Sequence, residues 1–163
     1  LSEITQTQRF SQFLSKKADE GSQKQKRKEC SFMTMPQALT ALVVDDVKEN
    51  RIILSRLLER QEFKTVAVES GALAIQSVSE QHFDIIFMDV MMPEMSGIDA
   101  TKIIRSKGYK GPIIAVTAAT SEEANCLAVG MNDFITKPVL FNNFINKIPV
   151  WLSKKEEEKE KKE

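Results

Sequence analysis

Four short apolar runs in the chain each end on residues able to handle phosphate or metal. Leu42-Val43-Val44 leads into Asp45-Asp46, Ile85-Ile86-Phe87-Met88 into Asp89, Ile113-Ile114-Ala115-Val116 into Thr117, and Phe134-Ile135-Thr136 into Lys137. The runs are continuous rather than alternating, which is the pattern of parallel strands buried on both faces of a sheet. A further run, Phe63 to Val68, is rich in β-branched residues and ends in Glu69-Ser70-Gly71. Parallel neighbours need crossovers of a dozen or more residues, usually helical, and helical patterns fill the gaps. Arg51 to Gln61 places Ile53, Leu54, Leu57 and Leu58 at spacings of three and four, Gly71 to Glu80 repeats this with Leu73, Ala74 and Val78, and Ile98 to Arg105 is a shorter version. A helix is also expected around Ser121 to Val129. The last uses Leu140, Phe141, Phe144, Ile145 and Ile148, then meets Pro149, which should end or kink it.

Alternating βα units from about Ala41 to Val150 predict a three-layer α/β domain with right-handed crossovers, in the flavodoxin-like (βα)5 strand order 2-1-3-4-5. In that order ligands bind beyond the carboxyl ends of the strands, where strands 1 and 3 diverge. Those are the strands that end in carboxylates. Strand 2, at the edge, supplies nothing reactive.

The 163 residues, 42% hydrophobic, suit one domain with flanking segments. A polar linker or the end of an upstream segment is expected over residues 1–39, the domain over 40–152, and a Lys/Glu tail over 153–163. Phe10, Phe13 and Leu14 have helical spacing that fits the end of an upstream helix, and the basic run Lys24 to Lys28 reads as solvated linker charge rather than a localisation signal. The start at Leu1 rather than Met suggests a cut or processed fragment. A formal net charge of zero argues against a nucleic-acid surface, and no apolar run approaches the roughly 20 residues that span a bilayer. The expected setting is cytoplasmic, with no membrane contact by this domain even if the parent protein is anchored. Cys30 and Cys126 have no metal-ligand spacing and fit a reducing compartment.

Two adjacent aspartates after strand 1 and another after strand 3 carry a cost. Like charges about 4 Å apart repel by roughly 4 kcal/mol at an effective dielectric of 20, so a pKa rises or a cation binds. Oxygen donors without converging imidazoles favour Mg²⁺ or Mn²⁺ over Zn²⁺. An aspartate beside such an ion is a nucleophile towards phosphorus, giving an aspartyl phosphate. Lys137 offers a compact positive charge, Thr117 a hydroxyl, and the loop amides after strands 3 and 4 further donors. Singly, these residues read as a helix cap, a turn residue and a solvated lysine. Together at one sheet edge they read as a site.

Four segments, in order, resemble the receiver domains of two-component response regulators. They are Val43-Val44-Asp45-Asp46; Met88-Asp89-Val90-Met91-Met92-Pro93-Glu94-Met95-Ser96-Gly97; Ala115-Val116-Thr117-Ala118; and Gly130-Met131-Asn132-Asp133-Phe134-Ile135-Thr136-Lys137-Pro138. The resemblance covers about Ala41 to Val150. It implies that Asp89 accepts phosphate from a phosphohistidine, that Asp46 and Asp89 bind Mg²⁺ directly with the Met91 carbonyl, and that Asp45 helps through water. It further implies that Thr117 and Lys137 contact the phosphoryl group, that the Lys137-Pro138 bond is cis, and that Pro93 and Gly97 shape the loop after Asp89. Met91 and Ala119 occupy positions that tune hydrolysis in the family. Phe134 holds the aromatic switch position, for which simple core packing is the bland alternative. A downstream partner would then read the face made by the helix after strand 4, strand 5 and the last helix. The first of these has mainly Leu127 and Val129 as large apolar residues, which suggests weak anchoring.

His82, the only histidine, lies just before strand 3 on the edge opposite the crevice, and the chain has no glycine-rich ATP motif. The expected donor is therefore a histidine kinase, a histidine phosphotransfer protein or domain, or a small molecule. The expected activity is self-catalysed phosphorylation and dephosphorylation, not enzymatic turnover. The loop after Asp89 and the segment from Gly130 to Val139 look like receivers of hybrid histidine kinases and phosphorelays, with a stand-alone or effector-fused regulator as the alternative. An aspartyl-phosphate phosphatase would need a second aspartate two residues after its nucleophile, which Asp45-Asp46-Val47-Lys48 lacks. A pseudo-receiver used only for docking would not need the full set of acceptor and metal residues present here.

Overall fold

The computed structural model describes residues 38–118, 123–140 and 144–152. The expectations placed on the linker, the basic run, Cys30, Ala119, Ser121, Phe141 and the Lys/Glu tail lie outside the described residues. The elements are β1 (Thr40–Val44), α1 (Lys48–Glu59), β2 (Lys64–Val68), α2 (Gly71–Glu80), β3 (Ile85–Asp89), α3 (Gly97–Ser106), β4 (Ile113–Thr117), α4 (Glu123–Ala128) and β5 (Asp133–Thr136). Helical residues 144–145 and 148–152 follow. The strands form one parallel sheet in the order β2-β1-β3-β4-β5, the arrangement expected from the βα alternation. No helix among the described residues is long and apolar enough to cross a membrane.

Where boundaries differ from the apolar pattern, polar contacts explain them. Helix α1 begins at Lys48 rather than Arg51, because its first turn is polar and carries no apolar period; the Asp45 carboxylate accepts the Val47 N–H at 2.9 Å instead. Strand β2 begins after Phe63, whose N–H bonds the Leu58 carbonyl and whose ring joins the core. Serines cap α2 and α3: Ser70 accepts the Leu73 N–H, and Ser96 accepts the Asp99 N–H while donating to the Asp99 carboxylate.

Successive strand residues alternate between faces. Leu42, Val44, Ile86, Met88, Ile113 and Ala115 pack with Ala74 of α2, Ala100 and Ile104 of α3, and Cys126 of α4. From the other face Phe87 meets Phe144 (ring centroids 5.3 Å apart) and Trp151 (5.9 Å). Trp151 is fully buried, and its indole N–H donates to Asp133 Oδ2 at 2.7 Å. The last helix is broken, but at residues 146–147 rather than at Pro149, which was expected to end or kink it. Pro149 itself sits in the first turn of the second piece, where its missing N–H leaves no bond unmade.

The anchor of α4 differs from expectation. Leu127 is 48% exposed, whereas Cys126 is buried and Met131, just beyond the helix, is buried with it. Helix phase, not side-chain size, decides which residue faces the sheet, and a free cysteine packs as a small hydrophobe. Before β4 and β5, Arg105 donates to the carbonyls of Tyr109, Gly111 and Gly130 and to Asn132 Oδ1, which also accepts the Ile113 N–H. This clamp fixes where β4 and β5 enter the sheet, and therefore where Thr117 and Lys137 leave it.

Candidate functional site

Strand β1 hands over to a loop at Asp45, whose N–H still bonds the Val68 carbonyl of β2. Asp45 is buried; its Oδ1 accepts from the Val47 N–H and from Asn50 Nδ2 (3.1 Å), and its Oδ2 lies 2.7 Å from Lys137 Nζ. Asp46, one residue on, is exposed. Asp89 closes β3 and is 3% exposed; its Oδ1 accepts the Met91 N–H at 3.2 Å and its Oδ2 lies 2.7 Å from the same Lys137 Nζ. Carboxylate oxygens of Asp45, Asp46 and Asp89 all lie within 4.8 Å of one another. Lys137 is held there because its own N–H bonds the Thr117 carbonyl at 2.8 Å, and the Lys137-Pro138 bond is cis, as expected.

The loop after Asp89 closes tightly beneath this cluster. Gly97 N–H bonds the Val90 carbonyl, and a side chain at Gly97 would overlap the Asp89 carbonyl oxygen and the Met88 side chain. Only glycine permits that approach.

Three carboxylates face one ammonium, and the titration behaviour follows. Burial pushes the Asp89 pKa above the usual carboxylate value and the Asp45 charge adds to it; Lys137 and the Met91 amide pull the other way without prevailing. For Lys137, burial disfavours the charge, but the Asp45 and Asp89 carboxylates outweigh it and hold the pKa up. One ion pair thus has unequal ends, because Lys137 is shared between two anions while Asp89 also bears its neighbour's charge. The excess negative charge, presented by carboxylate oxygens alone, fits a hard divalent cation such as Mg²⁺.

The remaining anticipated residues are spread along the same strands. Thr117 is buried at the end of β4, one position beyond Val116, which pairs with Asp89. Met91 is 68% exposed at the lip of the site. Phe134 lies outside the crevice: it pairs with Ala115, two positions before Thr117, is half-buried, and has Lys147 Nζ 5.7 Å from its ring centroid. His82 is at the far edge, its carbonyl accepting from Thr40 at the start of β1. Two residues escaped the sequence reading, Asn50 and Arg51. Arg51 Nη1 donates to the carbonyls of both Asp45 (2.7 Å) and Asp46 (3.0 Å). Their only signal was a polar first helical turn five and six residues past Asp45.

Residues 41–149 match the response regulator receiver domain family. A sensor kinase/phosphatase of Vibrio cholerae, CqsS, is 36% identical over 116 residues, 68% of this chain, but the chain spans only 17% of that protein. Two-component response regulator 24 of Arabidopsis thaliana is 39% identical over 111 residues, covering 66% of this chain and 80% of the regulator. Among solved structures, the receiver domain of sensor histidine kinase PA1611 from Pseudomonas aeruginosa, with magnesium coordinated in its active-site cleft, superposes with a TM-score of 0.66 at 31% identity, covering 71% of this chain and 98% of that one. The receiver of the Saccharomyces cerevisiae regulator Ssk1, solved with the histidine phosphotransfer protein Ypd1, gives 0.63 at 31% identity, covering 69% and 88%. With its strand order, its clustered aspartates and a family match over most of its length, the chain belongs to the response regulator receiver domains.

Proposed function

We propose that the chain is a phospho-accepting receiver whose Asp89 takes a phosphoryl group from a phosphohistidine on a histidine kinase or a histidine phosphotransfer protein. The observation that carries this is the placing of the Asp89 carboxylate within 4.8 Å of two others and 2.7 Å from Lys137 Nζ. An Asp89 oxygen bonds to phosphorus as the P–N bond to imidazole breaks, and the imidazole leaves with the electron pair and takes a proton. Bound Mg²⁺ would neutralise charge on the phosphoryl oxygens. Asp46 and Asp89, with the Met91 carbonyl, would hold it directly. Asp45 would act through water. Lys137 turns from Asp89 to the incoming phosphoryl oxygens, and Thr117 contacts the same group from β4. Asp89 is consumed and regenerated rather than turning over a substrate.

Thr117 and Phe134 then form the switch, with the downstream partner reading the face of α4, β5 and helical residues 144–152. Phe134 supports this by pairing with Ala115, two positions before Thr117 on the neighbouring strand. The parent is a hybrid histidine kinase, in keeping with the small fraction of the Vibrio relative that the chain spans. A stand-alone regulator is the second reading, supported by the Arabidopsis regulator, of which the chain spans 80%. The sequence upstream of Leu1 decides between them by the presence or absence of a histidine-bearing helix pair and an ATP-binding domain. Acceptance itself is tested by incubating the protein with Mg²⁺ and acetyl phosphate and weighing it intact. An acid-labile phosphoryl adduct that Asp89→Asn abolishes is expected. No adduct, or an adduct indifferent to Asp89→Asn, defeats the proposal.

A further inference from the structure

The three carboxylates of the crevice are not held alike. Asp45 and Asp89 are buried and bonded through their side chains, whereas the exposed Asp46 carboxylate takes no hydrogen bond from any described residue. Only the backbone aims it. That backbone is fastened at two successive carbonyls by one nitrogen, Arg51 Nη1, at 2.7 Å from the Asp45 oxygen and 3.0 Å from the Asp46 oxygen. Fixing both carbonyls fixes the peptide planes on either side of Asp46, and with them the direction of its Cα–Cβ bond. The Arg51 side chain is only 15% exposed, and its other terminal nitrogen lies 3.6 Å from Glu69 in the loop after β2. That exposed contact is weak, so the two carbonyls are the main anchors of Arg51. A planar guanidinium is suited to such a fork, because its donors are fixed relative to one another. Its neighbour Asn50 completes the frame by donating to Asp45 Oδ1 at 3.1 Å.

We infer that Arg51 is a positioning residue for the metal-binding crevice, holding the Asp45-Asp46 peptide so that the Asp46 carboxylate stays within reach of Asp89. The inference rests on the divalent-metal reading of the proposed function. It makes a prediction opposite in sign to the simpler view of Arg51 as a nearby charge. A cation beside a cation site weakens binding by repulsion, so deleting it should tighten Mg²⁺ binding. A positioning residue does the reverse, since its loss lets one ligand wander. A residue that merely stabilises the start of α1 would lower the melting temperature and leave the affinity alone.

The test is calorimetric titration of Mg²⁺ into the protein, its Arg51→Met and Arg51→Lys variants, and Glu69→Gln, with thermal melts in EDTA alongside. Methionine keeps the apolar stem and has no donor. Arg51→Met is expected to weaken Mg²⁺ binding by about tenfold, while Arg51→Lys, which keeps a donor but not the planar fork, recovers only part of the loss and Glu69→Gln stays within about twofold. In the metal-free protein the backbone amide resonances of Asp46 and Val47 should shift in Arg51→Met and return towards their original places in Arg51→Lys. Should Arg51→Met not fold, Arg51→Gln replaces it with the same expected direction. Mg²⁺ binding as tight as the unmodified protein, or tighter, in the folded variant overturns the inference. Absence of Mg²⁺ binding by the unmodified protein is a separate outcome, which defeats the metal reading and this inference with it.

Discussion

Lys137 is the counterion of the crevice before any metal arrives, so replacing it with methionine isolates the electrostatics of the site while keeping most of the side-chain volume. Its Nζ lies 2.7 Å from an oxygen of Asp45 and 2.7 Å from one of Asp89. At an effective dielectric of about 20 each contact is worth roughly 6 kcal/mol before desolvation, and each pair of carboxylates, at most 4.8 Å apart, repels by at least about 3.5 kcal/mol. Desolvation absorbs most of the gross attraction, and stripping one partner from a buried pair costs about 3–5 kcal/mol net. With the Lys137 side chain 21% exposed, the lower end applies. A loss of about 3 kcal/mol lowers the melting temperature of a domain this size by roughly 10–20 °C.

The assay is thermal unfolding followed by circular dichroism, in EDTA and in millimolar Mg²⁺, across pH. Mg²⁺ should restore much of the loss, because it replaces the missing cation and binds only the folded form; at 100 times its dissociation constant it contributes about 2.7 kcal/mol. The variant should also bind Mg²⁺ more tightly, since no ammonium competes for the Asp45 and Asp89 oxygens. The pH dependence has a definite sign. Burial and Asp45 already raise the Asp89 pKa above 3.8, and removing Lys137 removes the main opposing influence. A carboxylate whose folded pKa exceeds its unfolded one contributes stability below the unfolded value and loses it as pH rises through the folded value. Lys137, raised above 10.5, contributes its stability below that pH and loses it only above. The deficit of Lys137→Met should therefore be smallest in acid, open as pH rises past the Asp89 pKa, and persist to about pH 10. A deficit that is flat from acid to neutral pH and unaffected by Mg²⁺ would show that lost packing, not lost charge, is responsible.

Asp89→Asn removes a carboxylate that burial and Asp45 disfavour, so the metal-free variant should melt a few degrees higher at neutral pH and converge with the unmodified protein in acid; a lower neutral melting temperature refutes the assignment of strain to this charge. Gly97→Ala sets a methyl group against the Asp89 carbonyl oxygen and should cost about 1–3 kcal/mol in denaturant melts while weakening Mg²⁺ binding; an unperturbed variant would show that the loop has room to move. Trp151→Phe loses the bond to Asp133, a charge-assisted one worth about 1.5–3 kcal/mol. Burial alone would raise the Asp133 pKa, but Trp151, the Phe134 amide and Lys147 together hold it down. The contribution of such a lowered group is present above its unfolded pKa and lost as pH falls through the folded one, so the Trp151→Phe deficit should shrink on going from neutral pH to about pH 3.

The strand order and the ends that carry chemistry were legible because a parallel sheet hides both faces: its strands become continuous apolar runs, and the first polar residue after each run marks the crevice edge. Asp45, Asp89, Thr117 and Lys137 are readable for that reason. The features that were not legible share a different physical origin. Arg51 reaches the site through main-chain carbonyls, and a carbonyl has no identity in a sequence; Asn132, Arg105 and the entry of β5 are joined in the same way. Cys126 outranks Leu127 as an anchor because of the phase of a six-residue helix, too short for a periodic signal to emerge. Asp133 looks like a loop carboxylate until Trp151, 18 residues later, returns to bond it. The position of Asp46 belongs to this second class although its identity belongs to the first. Its neighbour in the sequence announces an acidic pair, but what turns two adjacent carboxylates into one buried, bonded group and one exposed group still within reach of the crevice is a guanidinium on the next helix, holding both their carbonyls. An acidic pair of the same composition without that helix contact would keep the charge of this crevice and lose its geometry.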